Sequence, residues 1–213
     1  MVKNDMKIAV FVSGGGTNLQ AIIDNIKSGY LSGVEITLVV ASNKNAYALT
    51  RASENNIPSC VMSVKDYASR EEWDTAVLDK VKESGAELIV LAGYLSLLGT
   101  QVVKAYSNRI INIHPALIPA FCGAGMYGIQ PHKAVLARGV KVSGATVHFV
   151  NENYDEGPII LQKAVDVLPD DTPESLQKRI MKECEQVILP RAIRLIADGR
   201  VTIDNNIAYV KEA

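Results

Sequence analysis

Two stretches of the 213-residue chain combine residue types that could do chemistry. The first is Ser13-Gly14-Gly15-Gly16-Thr17-Asn18, between an apolar run from Lys7 to Val12 and a helical pattern that begins at Leu19. Glycines at a strand-to-helix junction let backbone amides approach an anion, and a helix N-terminus favours negative charge there. Leu19 takes the third-glycine place of a dinucleotide fingerprint, and no Gly-Lys-Ser/Thr follows as in a nucleotide-phosphate loop. A ligand-free tight turn and a phosphate site are the two readings. The run of three glycines with Ser13, Thr17 and Asn18 favours the phosphate. The second stretch is Asn112-Ile113-His114-Pro115, at the end of another apolar run. Alternation along a strand puts Asn112 and His114 on one side. An amide donor beside an imidazole suits acyl-type transfer, where an oxyanion develops and a proton must move. Pro115 biases His114 towards extended backbone and ends the strand. Taken alone, the pair reads more simply as a hydrogen-bonded core Asn and His.

Asp155, in the polar turn before Gly157-Pro158, is a candidate to orient such a histidine and equally a turn former. His132 and His148 complete the histidines, and the spacing of the three fits no zinc pattern, so no metal is expected. Judged from the residues alone, Arg70 and Glu185 are solvated surface charges.

The elements that must hold these residues alternate. Apolar strands are expected at 7–12, 36–41, 60–62, 88–92 and 110–113, with helices between them at 19–26, 46–55 and 69–84. Ser69-Arg70-Glu71-Glu72 has the form of a capping box. Continuous apolar strands alternating with helices predict an α/β fold, a mainly parallel Rossmann-like twisted sheet with helices on both faces. The C-terminal half adds antiparallel strands at 143–150 and 159–165 and a hairpin at 201–210 turning at Asn205-Asn206. Residues 121–131 form a glycine-containing loop before a helix at 132–138. A helix begins after Thr172-Pro173 and runs towards Gly199, and Pro190 predicts a break or kink in it. The expected organisation is one domain, 1–213, with halves at about 1–106 and 107–213.

Composition bounds the function. A net charge of −1 gives no bulk attraction to nucleic acid or an anionic membrane. Nothing approaches about eighteen consecutive apolar residues, and the start has no secretory pattern. Cys60, Cys122 and Cys184 are odd in number and far apart, which suits a reducing compartment. The expectation is a soluble cytoplasmic protein without nucleic-acid or membrane partners.

In this order, the motifs resemble the phosphoribosylglycinamide formyltransferase family (glycinamide ribonucleotide transformylases). The resemblance is carried by Ser13 to Ile22, Leu91-Ala92-Gly93-Tyr94, Ile111 to Pro115 with Leu117 and Pro119, Gly144 to Val150, Asp155 with Gly157 to Gln162, and Ala197-Asp198-Gly199-Arg200. It implies transfer of a formyl group from 10-formyltetrahydrofolate, the co-substrate, to the glycinamide amine of phosphoribosylglycinamide in de novo purine biosynthesis. It assigns catalysis to Asn112, His114 and Asp155, the substrate phosphate to Gly16, Thr17 and Asn18, and the ribose hydroxyls to Glu185. Arg70, Leu95, Ser96, Leu97, Leu98 and the turn from Asn151 to Asp155 would contact the folate. It also implies a protonated His114 whose charged form Asp155 favours, and a monomer or homodimer. Ser96 stands where many members carry Arg, and the loop from Phe121 to Gln130 is longer than in short-loop members. A formyltetrahydrofolate hydrolase would carry an extra N-terminal regulatory domain, for which the chain has no room. A methionyl-tRNA formyltransferase would add a basic C-terminal module. A non-catalytic phosphosugar sensor would need the glycine loop and not Asn112, His114 and Asp155 together.

Overall fold

Strands that must be buried on both faces need apolar residues throughout, and β1 (Met6–Val12) has them. From Ile8 to Val12 it is fully buried. A computed structural model describes residues 5–153 and 155–211; position 154, inside the turn assigned above to folate, lies outside the described residues. The chain forms two compact units, residues 1–111 and 112–213. In the first, β1 pairs in parallel with β2 (Val34–Ala41) and β4 (Leu88–Leu91), and β2 with β3 (Ser59–Val61), in the order β3-β2-β1-β4. The helices of this unit are α1 (Thr17–Lys27), α2 (Ala48–Glu54), α3 (Arg70–Glu83) and α4 (Thr100–Ala105). Leu19, Ile22 and Ile23 form the buried face of α1. Trp73 fixes α3: it is fully buried and its indole Nε1 donates to the Met62 carbonyl at 3.0 Å. Burying a side chain of this size contributes about 2–3 kcal/mol each time.

In β5 (Ile110–His114) the chain leaves the first unit and enters the second. This strand follows β4 in the hydrogen-bonded order, and β6 (Val142–Phe149) and β7 (Ile159–Asp166) follow it. The pair β6–β7 is antiparallel, with a register shift beside His148. The exposed β7 carries Lys163 and Gln162, polar residues that suit a sheet edge. The second unit also holds α5 (Gln130–Arg138), α6 (Pro173–Ile180), a π-helical turn (Met181–Glu185), α7 (Gln186–Ala197) and the hairpin of β8 (Val201–Asp204) with β9 (Ile207–Val210). Asn205 and Asn206 both have positive φ, 48° and 62°, as a two-residue type I′ turn requires. The result is the mainly parallel sheet with antiparallel additions in the C-terminal half that the sequence predicts.

Four details differ from expectation. Helix α4, within a stretch given no element, starts where Asp74 accepts hydrogen bonds from the Gln101 and Val102 amides at 2.7 and 3.3 Å. Ser69 caps α3 by accepting from the Glu72 amide, but the Glu72 carboxylate takes the Ala68 amide, so the reciprocal box is not closed at Ser69. Helix α5 begins before His132, with Pro131 in its first turn, where a missing N–H is tolerated. Pro190 lies inside α7 without ending it, and the irregularity is the π turn that ends just before Gln186. Pro190 offers no N–H to the Gln186 carbonyl and its ring crowds that group, so widening the turn before it relieves both.

Asp74 holds α4 only because Gly99 has no side chain: a Cβ there would lie 1.9 Å from the Asp74 carboxyl carbon. Asp74→Ala would strand two amides and should lower stability by about 1–3 kcal/mol in urea titrations with an unchanged m-value. Gly99→Ala should lose a comparable amount by pushing the carboxylate away. In the second unit His132 is fully buried on α5, and neither ring nitrogen has a hydrogen-bond partner among the described residues. Burial, followed by the nearby charge of His114, pushes its pKa down to about 4 from 6.5. The unfolded chain therefore takes a proton on His132 at a higher pH than the folded one. Its contribution to stability should be intact above pH 6.5 and fall by roughly 1.4 kcal/mol per pH unit on descent towards 4. Unfolding titrations of His132→Leu across that window should show a flatter slope, by up to one proton; an unchanged slope would place the proton elsewhere.

Candidate active site

Glycine at position 16 is a steric requirement. It caps α1 with φ 68° and ψ 30°, and a Cβ would fall 2.7 Å from the Ala48 Cβ and 2.8 Å from its Cα. Nothing lies within 4 Å of a Cβ at Gly14 or Gly15, so these two face open space. Ser13 ties the loop inward: its Oγ accepts from the Leu95 amide at 2.8 Å and its carbonyl from Asn43 Nδ2 at 2.9 Å. Thr17 begins the helix, and Asn18 is buried in its first turn. Within the same unit, Arg70 is exposed as the residue-level reading expects, yet its guanidinium donates to the Leu97 carbonyl at 3.0 Å and lies over the Trp73 ring. Leu95 and Leu97 expose about half their surface, and Ser96 and Leu98 are half-buried.

In the second unit, the end of β5 brings its two polar residues to different partners. Asn112 Nδ2 lies 3.2 Å from His148 Nε2. His148 Nδ1 is 2.8 Å from the Phe149 carbonyl, which can only accept, so Nδ1 carries the proton and Nε2 accepts from Asn112. By the same argument His114 donates through Nε2 to the Phe121 carbonyl at 2.9 Å, leaving Nδ1 towards Asp155 Oδ2 at 3.7 Å. That distance is an ion-pair approach and too long for a hydrogen bond. Asp155 takes its shortest bond from the Gly123 amide, 2.8 Å, and lies 3.5 Å from His148. The turn after His114 is fastened by Thr146, whose hydroxyl donates to the Ala116 carbonyl and accepts from the Ile118 amide, and by Gln162, which donates to the Ile118 carbonyl. Asp155 also lines a cavity of about 480 Å³ with Pro119, Cys122, Gly123, Glu156 and Gly157.

The charge states follow from this packing. Burial holds His114 below the ordinary imidazole value, against the upward pull of its bond to Phe121 and of the Asp155 carboxylate. The family resemblance implies that Asp155 favours the charged form of His114, and the carboxylate does pull that pKa upward, although burial outweighs it. Burial pushes Asp155 up, but the His148 contact, the Gly123 amide and the charge of His114 outweigh it and leave the carboxyl lower than usual. Asp155 is thus held as an anion, with the Gly123 amide as its short hydrogen-bond donor.

The sequence-predicted triad is therefore gathered in one cluster, with Asp155 beside both imidazoles. His148 and Gly123 were missed as members; the one sequence signal for His148 was an imidazole inside the otherwise apolar run Val147 to Val150. Glu185 corrects the surface reading: it is buried, at the end of the π turn. Asn151 accepts from the Asn153 amide and shapes the turn before Asp155. Among the described residues no group of three or more His, Cys, Asp or Glu side chains is placed to hold a metal ion, and no helix is long and apolar enough to cross a membrane.

The chain is similar to known proteins. The family model described as Formyl transferase matches residues 6–193. The chain is 42% identical over 199 residues to the chloroplastic phosphoribosylglycinamide formyltransferase of Arabidopsis thaliana, covering 92% of this chain and 66% of that protein. It is 44% identical over 200 residues to the trifunctional purine biosynthetic protein adenosine-3 of Gallus gallus, covering 94% of this chain and 19% of that one. The chain thus spans just under two thirds of the first relative's length and about a fifth of the second's. Among solved structures, glycinamide ribonucleotide transformylase 1 from Symbiobacterium toebii superposes with a TM-score of 0.91 at 41% identity, covering 98% of this chain and 95% of that one. A match over 6–193 that spans both the glycine loop and the Asn112–His114–Asp155 cluster makes this chain a member of the formyl transferase family.

Proposed function

We propose that the chain transfers the formyl group of 10-formyltetrahydrofolate to the glycinamide amine of phosphoribosylglycinamide, giving phosphoribosyl-N-formylglycinamide and tetrahydrofolate in de novo purine biosynthesis. It acts as one formyltransferase domain in the cytoplasm, as a monomer or homodimer, without metal, nucleic acid or membrane. The observation that carries this reading is the cluster of Asn112, His114 and Asp155 in a member of the formyl transferase family. Gly16, Thr17 and Asn18 would hold the phosphate and Glu185 the ribose hydroxyls. Arg70, Leu95 to Leu98, Asn151 and Asp155 would meet the folate.

The acceptor amine attacks the formyl carbon and its lone pair forms the new C–N bond, while the carbonyl π electrons move to oxygen. The adduct is an oxyanion with a cationic nitrogen. Asn112 Nδ2 and His114 are the donors available for that oxyanion. His114 Nε2–H is engaged by the Phe121 carbonyl, so reaching an oxyanion requires the loop at 121–123 to release it. A proton then passes from the former amine to N10 of the folate, an oxyanion lone pair re-forms the C=O bond, and the C–N10 bond breaks with its electron pair leaving on N10. Atoms and charges balance with no further reactant. Asp155 faces Nδ1 and would stabilise a proton there as the oxyanion forms.

Formylation assays with both substrates, and with water as the only acceptor, test the reaction: product should require the phosphorylated amine, and equal release of formate without it would indicate a hydrolase. His114→Ala should reduce kcat by about 10²–10³-fold, as loss of an oxyanion donor does, while calorimetry shows both ligands still binding. Asp155→Asn keeps an acceptor for Gly123 but removes the charge that raises the His114 pKa. Its NMR titration should therefore move further down, and kcat should fall. With the double variant little worse than His114→Ala, the two groups act as one unit; fully additive losses with an unmoved titration would separate them.

A further inference from the structure

Three successive carbonyls of the glycine loop are held by one short stretch of chain. Asn43 Nδ2 donates to the Ser13 carbonyl at 2.9 Å, the Ala48 amide to the Gly14 carbonyl at 3.2 Å, and Arg51 Nε to the Gly15 carbonyl at 2.8 Å. In a trans peptide the N–H of the next residue points opposite to the C=O. Holding these carbonyls on the 43–51 side therefore turns the Gly14, Gly15 and Gly16 amides to the other side. Among the described residues those amides donate to no protein group. Successive amides exposed in this way form an anion-binding concavity, continuous with the N-terminus of α1.

Arg51 is the only charged member of the set. It stands on the last turn of α2, and its second donor, a terminal guanidinium nitrogen, is held by Gln20 Oε1 on α1 at 3.0 Å. Its guanidinium also lies over the Tyr47 ring, 5.1 Å from the centroid. The side chain is thus pinned at three points, and one of them is a loop carbonyl. We propose that Arg51 is a positioning residue for the substrate phosphate, locking the Gly15–Gly16 peptide so that the Gly16 amide faces the anion. This rests on the phosphate-loop reading above. It assigns Arg51 no contact with the reacting atoms, and it predicts an effect confined to the phosphorylated substrate. With Arg51 gone, the Gly15 carbonyl loses its charged donor, and the peptide can rotate towards orientations that face the carbonyl to the phosphate.

The test is steady-state kinetics of Arg51→Met in the full chain, beside Gly16→Val as a control for the loop. Arg51→Met should raise KM for phosphoribosylglycinamide about tenfold, the equivalent of one hydrogen bond lost to a charged group, and leave kcat and the folate KM within about twofold. In amide NMR spectra, adding phosphoribosylglycinamide should shift the Gly16 resonance strongly in the parent protein and weakly in the variant. A merely structural role would lower the melting temperature without separating the two KM values. Gln20→Ala loosens Arg51 from the outside and should give a smaller change of the same kind, which serves if Arg51→Met fails to fold. Gly16→Val raising the substrate KM while Arg51→Met and Gln20→Ala leave it unchanged would overturn the role of Arg51 alone. An unchanged KM in Gly16→Val would overturn the phosphate loop itself, and the proposal with it.

Discussion

A carboxylate taken out of water must find donors, and Asp155, with a side chain only 14% exposed, sets that demand in the second unit. Its donor comes from a loop. The Gly123 amide gives the short bond, and His148 on β6 and His114 on β5 approach from the sheet. Two residues before Gly123, the Phe121 carbonyl accepts from the other nitrogen of His114. One turn of chain therefore grips both members of the pair, an amide on the acid and a carbonyl on the imidazole. The turn can do this because Phe121 and Gly123 both sit at positive φ, 53° and 90°. Asp155 itself has φ 52°, an uncommon conformation that aspartate tolerates better than most residues. The bulge beside His148 and the Thr146–Gln162 bonds to the turn after His114 fit the same demand, since each fixes a neighbour of the carboxylate.

What could be read from the sequence, and what could not, divides along the range of the forces involved. β1, β4 and β5 were legible because burial on both faces leaves an unbroken apolar run, and α1 because its apolar residues recur at helical spacing. Gly16 was legible as one of three glycines at a strand-to-helix junction, whereas its positive φ and its close approach to Ala48 belong to the fold. Helix α4 was not, because only six residues form it and its start is capped by Asp74 from a separate helix. Glu185 misled for a related reason: spacing on a regular helix gives no sign of the π turn that ends at it, nor of its burial. Asn112 and His114 could be placed on one strand face, but their separate partners, His148 and Phe121, depend on strand pairing and on a loop. Asp155 lies 41 positions from His114, and only the family resemblance joined them before the fold did.

The low proton affinity of His114 at rest agrees with the proposed reaction once the charge of the whole cluster is considered. With His114 neutral and Asp155 ionised, the pair carries one negative charge. Adding an oxyanion to it would place two like charges close together in a medium of low dielectric, where their repulsion is several times its value in water. A proton on His114 removes most of that repulsion, and its affinity for the site rises as the oxyanion forms. The burial that lowers the resting pKa also strengthens this response, because it weakens screening of both charges. Nδ1 is the nitrogen available to take the proton, since Nε2 already carries one, and Asp155 faces it at 3.7 Å. A protonated Nδ1 would become a donor to that carboxylate and draw it in, and the Nε2–H would become a stronger donor. It would then have reason to exchange the neutral Phe121 carbonyl for a charged oxygen. On this argument the neutral resting imidazole is a consequence of building the site dry, and the same dryness makes its charged form favourable when the oxyanion appears.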